Sequence, residues 1–225
     1  MAKLEICCFD IETTILAANS GADRIELCLD YASGGLTPPL FWIEKIQQKT
    51  EVPLYCMIRP RPGDFKYSPD EFQTMKKEIR ERREMGIRGF VFGILDENLD
   101  PDMPRLQELM ELAFPLPVTF HRAFDWVRNP LNALDELITA GFERILSSGQ
   151  RKSAWEGREL LKELIRVSSG RIAIMPGAGI RSESLEALNQ YLKAEEYHSS
   201  ALSPNIPFHK ESYNREIGKM KKILE

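Results

Sequence analysis

Eight short apolar runs, rich in β-branched and aromatic residues, alternate along the chain with longer segments of helical periodicity. Each run spans four or five residues, a length typical of strands that are buried on both faces. The predicted strands cover residues 4–8, 24–27, 54–58, 89–92, 118–121, 144–147, 171–175 and 196–199. The predicted helices cover residues 11–20, 39–49, 70–85, 103–113, 130–140, 153–167, 182–191 and 211–224.

This regular alternation indicates parallel strand–helix–strand units. Eight such units in 225 residues predict a closed (β/α)8 barrel of TIM type. We expect a single domain over residues 1–225, because no linker or low-complexity stretch interrupts the pattern. The alternative is an open, doubly wound sheet, but no predicted strand is followed by the GxGxxG sequence that often accompanies that fold. For the same reason we predict no organic cofactor.

Composition and charge exclude several classes of protein. The 30 basic and 34 acidic residues give a net charge of −4 and are not segregated, which argues against a nucleic-acid or anionic-membrane surface. No apolar run approaches the roughly 18 residues of a membrane span. The N-terminal residues lack the apolar stretch of a signal peptide. The four cysteines show no CxxC or zinc-finger spacing. We therefore expect a cytoplasmic protein with reduced thiols.

Charged residues within the predicted strands mark a candidate site. Because helices cover the outside of a parallel barrel, such side chains point into the lumen or lie at a rim. A two-residue period brings five candidate catalytic groups to the inner face. These groups are Glu5, Glu26, Arg59, His121 and His198. The alternative is a purely structural network in which Arg59 neutralises Glu5 and Glu26.

A Glu-x-Cys sequence occurs in both the first and the second predicted strand. It places Cys7 and Cys28 on the same inner face, at similar depth, on strands expected to be neighbours. Two adjacent thiolates suit a soft ion such as Cu(I), with Met57 or His121 as further donors. The alternative is that both cysteines are small buried apolar residues. Cys8 and Cys56 have the opposite parity and are expected to pack under the helices.

Glycines and serines follow the sixth and seventh predicted strands. Loops at this end of a barrel often bind anions through exposed amides and a helix N-terminus. We therefore predict an anion site formed by Ser148, Gly149, Gly177 and Gly179, with help from Arg181. The alternative is that the glycines serve only tight turns.

Nine segments in series resemble the CutC family, whose members are described as cytoplasmic copper homeostasis proteins. The segments are EIC at 5–7, GADRIELC at 21–28, GGLTP at 34–38, IRPR at 58–61, GDF at 63–65, TFHRAFD at 119–125, SGQ at 148–150, GAG at 177–179 and HSS at 198–200. The resemblance implies a TIM-type barrel, a homodimer and an interaction with Cu(I) through cysteines. Cys7 and Cys28 match the family's motif positions.

Two functions of different kinds remain open. The first is a copper homeostasis protein that binds Cu(I) through Cys7 and Cys28. The alternative is a barrel enzyme acting on a small anionic or phosphorylated metabolite at the C-terminal barrel mouth, with His121 and Glu26 as acid–base groups. A binding module that performs no chemistry is the third possibility.

Overall fold

A computed structural model describes residues 1–202 and 207–225, and this part of the chain alternates strands with helices throughout. The strands are β1 (Lys3–Cys8), β2 (Arg24–Leu27), β3 (Leu54–Met57), β4 (Gly89–Phe92), β5 (Val118–Phe120), β6 (Arg144–Ser147), β7 (Ala173–Pro176) and β8 (Glu196–Ser199). The α-helices are α1 (Ile11–Asn19), α2 (Leu40–Gln47), α3 (Pro69–Arg83), α4 (Met103–Ala113), α5 (Pro130–Thr139), α6 (Arg158–Ser168), α7 (Ser182–Leu192) and α8 (Lys210–Leu224). A short 3-10 helix (Arg122–Trp126) follows β5.

The strands form a barrel, which confirms the predicted (β/α)8 fold. Consecutive strands pair in parallel from β1 to β7, and β1 also pairs with β8. β7 and β8 lie beside each other and bring the two ends of this order together. The carboxyl ends of all eight strands therefore point to one mouth, where the catalytic sites of such barrels lie.

Local sequence signals explain most helix ends. Asp10 caps α1, Asn129 caps α5, and Ser68 forms a capping box with Glu71 at the start of α3. The predicted helix over 153–167 was wrong at its beginning, because α6 starts only at Arg158. The preceding turn packs backbone against backbone: a Cβ on Gly157 would lie 1.9 Å from the carbonyl oxygen of Ser148.

Apolar residues form two separate clusters. The larger one fills the layer between the sheet and the helices and includes Cys8 and Cys56, as their parity predicted. The smaller one lies inside the barrel and consists of Cys7, Cys28, Tyr55, Met57 and Val91. The two-residue period of the strands therefore separates inner from outer side chains correctly.

A buried ion network crosses the amino-terminal part of the lumen. Arg24 donates to Glu5 and, at 2.5 Å, to Glu196, which also accepts from Arg144 at 2.9 Å. This corrects the structural alternative considered above, because Arg24 and not Arg59 pairs with Glu5. Arg59 instead donates to main-chain carbonyls of two loops.

Among the helices of the described ranges, 1–202 and 207–225, none is both long enough and apolar enough to cross a bilayer.

Candidate functional site

A cavity of about 330 Å³ opens at the carboxyl ends of the strands. Its wall contains apolar side chains on the β3 and β6 sides, Met57, Phe65 and Leu146. Its polar lining includes Cys7, Glu26, Arg59, His121, Arg181 and His198. Five of the seven predicted catalytic or metal-binding residues therefore share this one cavity, while Glu5 and Cys28 lie buried beside Cys7 and Glu26.

The two predicted metal-binding cysteines approach each other closely. Cys7 Sγ lies 3.6 Å from Cys28 Sγ, and the Cys28 thiol lies 3.5 Å from Glu26 Oε2. Burial raises the pKa of Cys28 to about 12 and holds the pKa of Cys7 well above its usual range. Without a cation beside them, both side chains are therefore protonated thiols at neutral pH.

The donor atoms around this pair fit a soft metal ion. The Cys7 sulfur, one Glu26 oxygen and one His198 nitrogen all lie within 4.8 Å of one another. Met57 belongs to the same inner cluster as both cysteines. Thiolate and thioether sulfurs are the ligands that Cu(I) prefers. Glu26 Oε1 is buried without a hydrogen-bond partner among the described residues, so the carboxylate has an unused acceptor.

His198 lies between two carboxylates. Its Nδ1 is 2.7 Å from Glu5 Oε1, and its Nε2 is 3.8 Å from Glu26 Oε2. Burial lowers the pKa of His198, but the charges of Glu26 and Glu5 outweigh it and raise the pKa above the ordinary value. Burial raises the pKa of Glu26, against the opposing charge of His198. For Glu5, the neighbouring Arg24 and His198 overcome burial and lower the pKa.

His121 has the opposite character. Burial, assisted by the positive charge of Arg59, lowers the pKa of His121 to about 3. Its Nδ1 accepts a hydrogen bond from the Ala123 amide at 3.2 Å, so the proton of the neutral ring resides on Nε2. The Nε2–H group is buried and has no acceptor among the described residues. Gly93 permits this placement, because a Cβ there would lie 2.7 Å from Nδ1.

Three of the four residues predicted to form an anion site have main-chain amides that already donate to acceptors within the chain. The amides of Ser148 and Gln150 donate to the Asp125 carboxylate, and the Gly149 amide donates to Ser147 Oγ. The Gly177 amide donates to the Ser147 carbonyl.

Gly179 is the member of the predicted anion site that lines the cavity. The N-terminus of α7 already has an acceptor, since the Ser182 amide and hydroxyl donate to the Glu216 carboxylate at 2.7 and 2.8 Å. Carboxylates of the chain therefore occupy the Ser148 amide and the N-terminus of α7, whereas Ser147 accepts from the amides of Gly149 and Gly177.

Several buried charged residues were missed by the sequence prediction. Arg24 precedes Glu26 by two residues, and Glu196 precedes His198 by two, so the same period assigns both to the lumen. Arg144 begins the sixth predicted strand and points inward as well. Asp125 lies beyond a strand end, where the period gives no information.

Comparison with known proteins identifies the family. A family model described as the CutC family matches residues 2–203. The chain belongs to the CutC family. It is 47% identical over 201 residues to a CutC family protein of Photorhabdus laumondii, covering 89% of this chain and 80% of that protein. It is 45% identical over 200 residues to a human protein named copper homeostasis protein cutC homolog, covering 89% of this chain and 73% of that one.

Solved structures agree with this assignment. A crystal structure of a CutC protein of Streptococcus agalactiae superposes with a TM-score of 0.85 at 29% identity, covering 89% of this CutC-family chain and 99% of that one. A phosphoribosylanthranilate isomerase of Thermotoga maritima has a TM-score of 0.61 at 12% identity, covering 100% and 98%. The second likeness shows the barrel fold alone.

Proposed function

We propose that this CutC-family chain acts in copper homeostasis by binding Cu(I) through Cys7 and Cys28 in the cytoplasm. The observation that carries the proposal is the 3.6 Å separation of two buried sulfurs at the edge of the cavity. Human and mouse relatives carry the name copper homeostasis protein cutC homolog. All four cysteines are free thiols, as expected of a reducing compartment.

The surroundings of the thiols suit a monovalent soft cation. Each thiol must lose its proton to become a ligand, and the raised thiol pKa values oppose this until the metal is present. Glu26 Oε2 lies 3.5 Å from the Cys28 sulfur, so its carboxylate would supply negative charge beside the ion. Cys7 lines the open cavity, so the pair can be reached from solvent.

A competition titration tests the proposal. Reduced protein is titrated anaerobically with Cu(I) against a chromophoric chelator, in parallel with the Cys7→Ser/Cys28→Ser double variant. We expect stoichiometric binding by the wild type and a loss of at least about 100-fold in affinity in the double variant, since both soft ligands are removed.

The Cys56→Ser variant is the matched control, because Cys56 lies in the outer cluster on the other face of β3. It should bind Cu(I) as the wild type does. Tight binding retained by the folded double variant would eliminate these two cysteines as the site.

The second candidate function is acid–base catalysis on a small anionic metabolite. The placement of His198 between Glu5 and Glu26, inside a cavity at the catalytic end of the barrel, favours it. A screen of phosphorylated and carboxylated metabolites should then reveal turnover that falls at least about 100-fold in Glu26→Gln. Turnover that ignores this substitution would rule out the assigned role of Glu26.

A further inference from the structure

Two arginines that line the cavity follow strands on opposite sides of the barrel. Arg59 follows β3 and Arg181 follows the end of β7. In a ring of eight strands ordered as observed, β3 and β7 are four positions apart in either direction and therefore face each other across the mouth. Two arginines from opposite strands thus contribute positive charge to the same cavity.

Neither guanidinium has a carboxylate partner in the described ranges, 1–202 and 207–225. Arg59 donates to the carbonyls of Ser33, Gly35 and Gly63 at 2.8, 3.1 and 2.9 Å. An arginine carries five N–H donors, so two of its five remain, and one of them is the buried Nε–H. A buried charge that lacks a counter-charge is costly, and a bound anion would supply that charge.

Arg181 is held by neutral groups in the same way. Its guanidinium donates to Ser199 Oγ at 3.1 Å, to Ser200 Oγ at 3.5 Å and to the carbonyls of Ile180 and Leu202, which, among the described residues, leaves the Nε–H group as its free donor. These bonds fix the orientation of the side chain without neutralising it. By contrast, Arg122 in the same cavity already pairs with Asp125 at 2.8 Å. Arg59 and Arg181 are therefore the two arginines of the cavity that are prepared for an external anion.

His121 in the lining of the cavity provides a third group that can bind the ligand. The His121 Nε2–H group has no acceptor among the described residues, and the ring packs at 4.8 Å from the ring of Phe65. Arg59 also contacts the Phe65 ring, with its Cζ 5.0 Å from the ring centroid. A ligand beside this wall would carry an oxygen acceptor next to a short apolar segment. The volume of about 330 Å³ is at the lower end of the range for small-molecule sites.

We propose that the cavity binds a small organic dianion that has an anionic group at each end of a short carbon chain. One end pairs with Arg59 and the other with Arg181, while an oxygen between them accepts from His121 Nε2–H. The dianion is the ligand class we assign to the cavity of the second candidate function, and any reaction of the dianion rests on that function. Binding of the dianion requires neither turnover nor copper. Glu216 accepts from the N-terminus of α7, and Asp125 accepts from the Ser148 amide after β6. These two sites are therefore not available to the ligand, whereas Arg59 and Arg181 are.

Isothermal titration calorimetry with defined probes tests the proposal. The dianion probes are the dicarboxylates succinate and malate, and the single-group probes are acetate and inorganic phosphate. We expect at least one dianion to bind with a Kd at or below about 1 mM, at least about tenfold more tightly than either single-group probe, because only the dianions reach both arginines. Dianions that bind no better than acetate and phosphate would overturn the proposal.

Substitutions separate this site from the copper site. Arg181→Gln should weaken dianion binding at least about tenfold, while Arg158→Gln, on a half-exposed arginine outside the cavity, should leave it unchanged. Arg59→Gln should have the same effect as Arg181→Gln; if loss of its loop contacts prevents folding, Arg181→Gln alone decides. Dianion binding is measured in the absence of copper, so failure of the copper proposal would be visible separately. Dianion binding unaffected by Arg181→Gln in folded protein would contradict the inference.

Discussion

Two histidines at the barrel mouth have pKa values shifted in opposite directions because their neighbours differ. His198 contacts the carboxylates of Glu5 and Glu26, which raise its pKa and favour the imidazolium. His121 has Arg59 and the Phe65 ring beside it, and burial keeps it neutral. The carboxylates therefore favour protonation of His198, whereas His121 serves as a neutral hydrogen-bond donor.

The low pKa of His121 predicts a measurable dependence of stability on pH. The ring has an ordinary pKa of 6.5 and a folded value of about 3. As the pH falls below 6.5, the unfolded chain takes up the proton and the folded protein does not. The contribution of His121 is therefore complete above 6.5 and is lost toward 3, by at most about 1.4 kcal/mol per pH unit.

Urea unfolding of the wild type and His121→Asn at several pH values checks this. Asparagine keeps an acceptor near the Ala123 amide but does not titrate. We expect the difference in the free energy of unfolding between the two proteins to shrink as the pH falls from about 7 to about 5. His198 has the opposite sign, since a raised folded pKa adds stability below 6.5, but it is common to both proteins and cancels. A pH-independent difference would show that His121 does not resist protonation.

At the scale of elements, periodicity was a reliable guide wherever the strand is regular. β2, β4, β6, β8 and α4 lie within the predicted bounds. The same period placed Cys7 and Glu26 on the inner face, where the ladder pairs them directly. It also contained the signals for Arg24 and Glu196, which the prediction did not use. In regular strands, the two-residue period therefore predicts which side chains point into the lumen.

Loops could not be predicted in this way. The Asp125 carboxylate reaches back from the 3-10 helix to the amides of Ser148 and Gln150, and Glu216 of α8 reaches the N-terminus of α7. Both contacts join residues far apart in sequence with no periodic relation. Glycine-rich loops that resemble anion sites can thus be filled by carboxylates of the same chain, and only three-dimensional packing reveals which residues do so.

At the scale of the whole molecule, the buried ion network joins strands on different sides of the barrel. Glu196 of β8 accepts from Arg24 of β2 at 2.5 Å and from Arg144 of β6 at 2.9 Å. Both arginines also contact the aromatic ring of Tyr55, because the Cζ atom of each lies 4.9 Å from the ring centroid. One carboxylate therefore holds together two guanidinium groups that would otherwise repel each other in the lumen.

This arrangement predicts that Glu196→Gln destabilises the entire barrel. The substitution keeps the shape of the side chain but leaves Arg144 without its buried carboxylate and weakens the neutralisation of Arg24. Removal of one partner from a buried ion pair costs about 3–5 kcal/mol, a large share of the stability of a typical domain. Urea unfolding should show this loss as a lower midpoint for the complete transition, because the network connects strands across the lumen.

Glu195→Gln is the matched control, since Glu195 is the neighbouring residue and is exposed. It removes the same charge at the same place in sequence, and we expect a change within about 0.5 kcal/mol. Equal stability of the two variants would mean that the remaining partners, Glu5 for Arg24 and Glu143 for Arg144, neutralise the two guanidinium groups without Glu196.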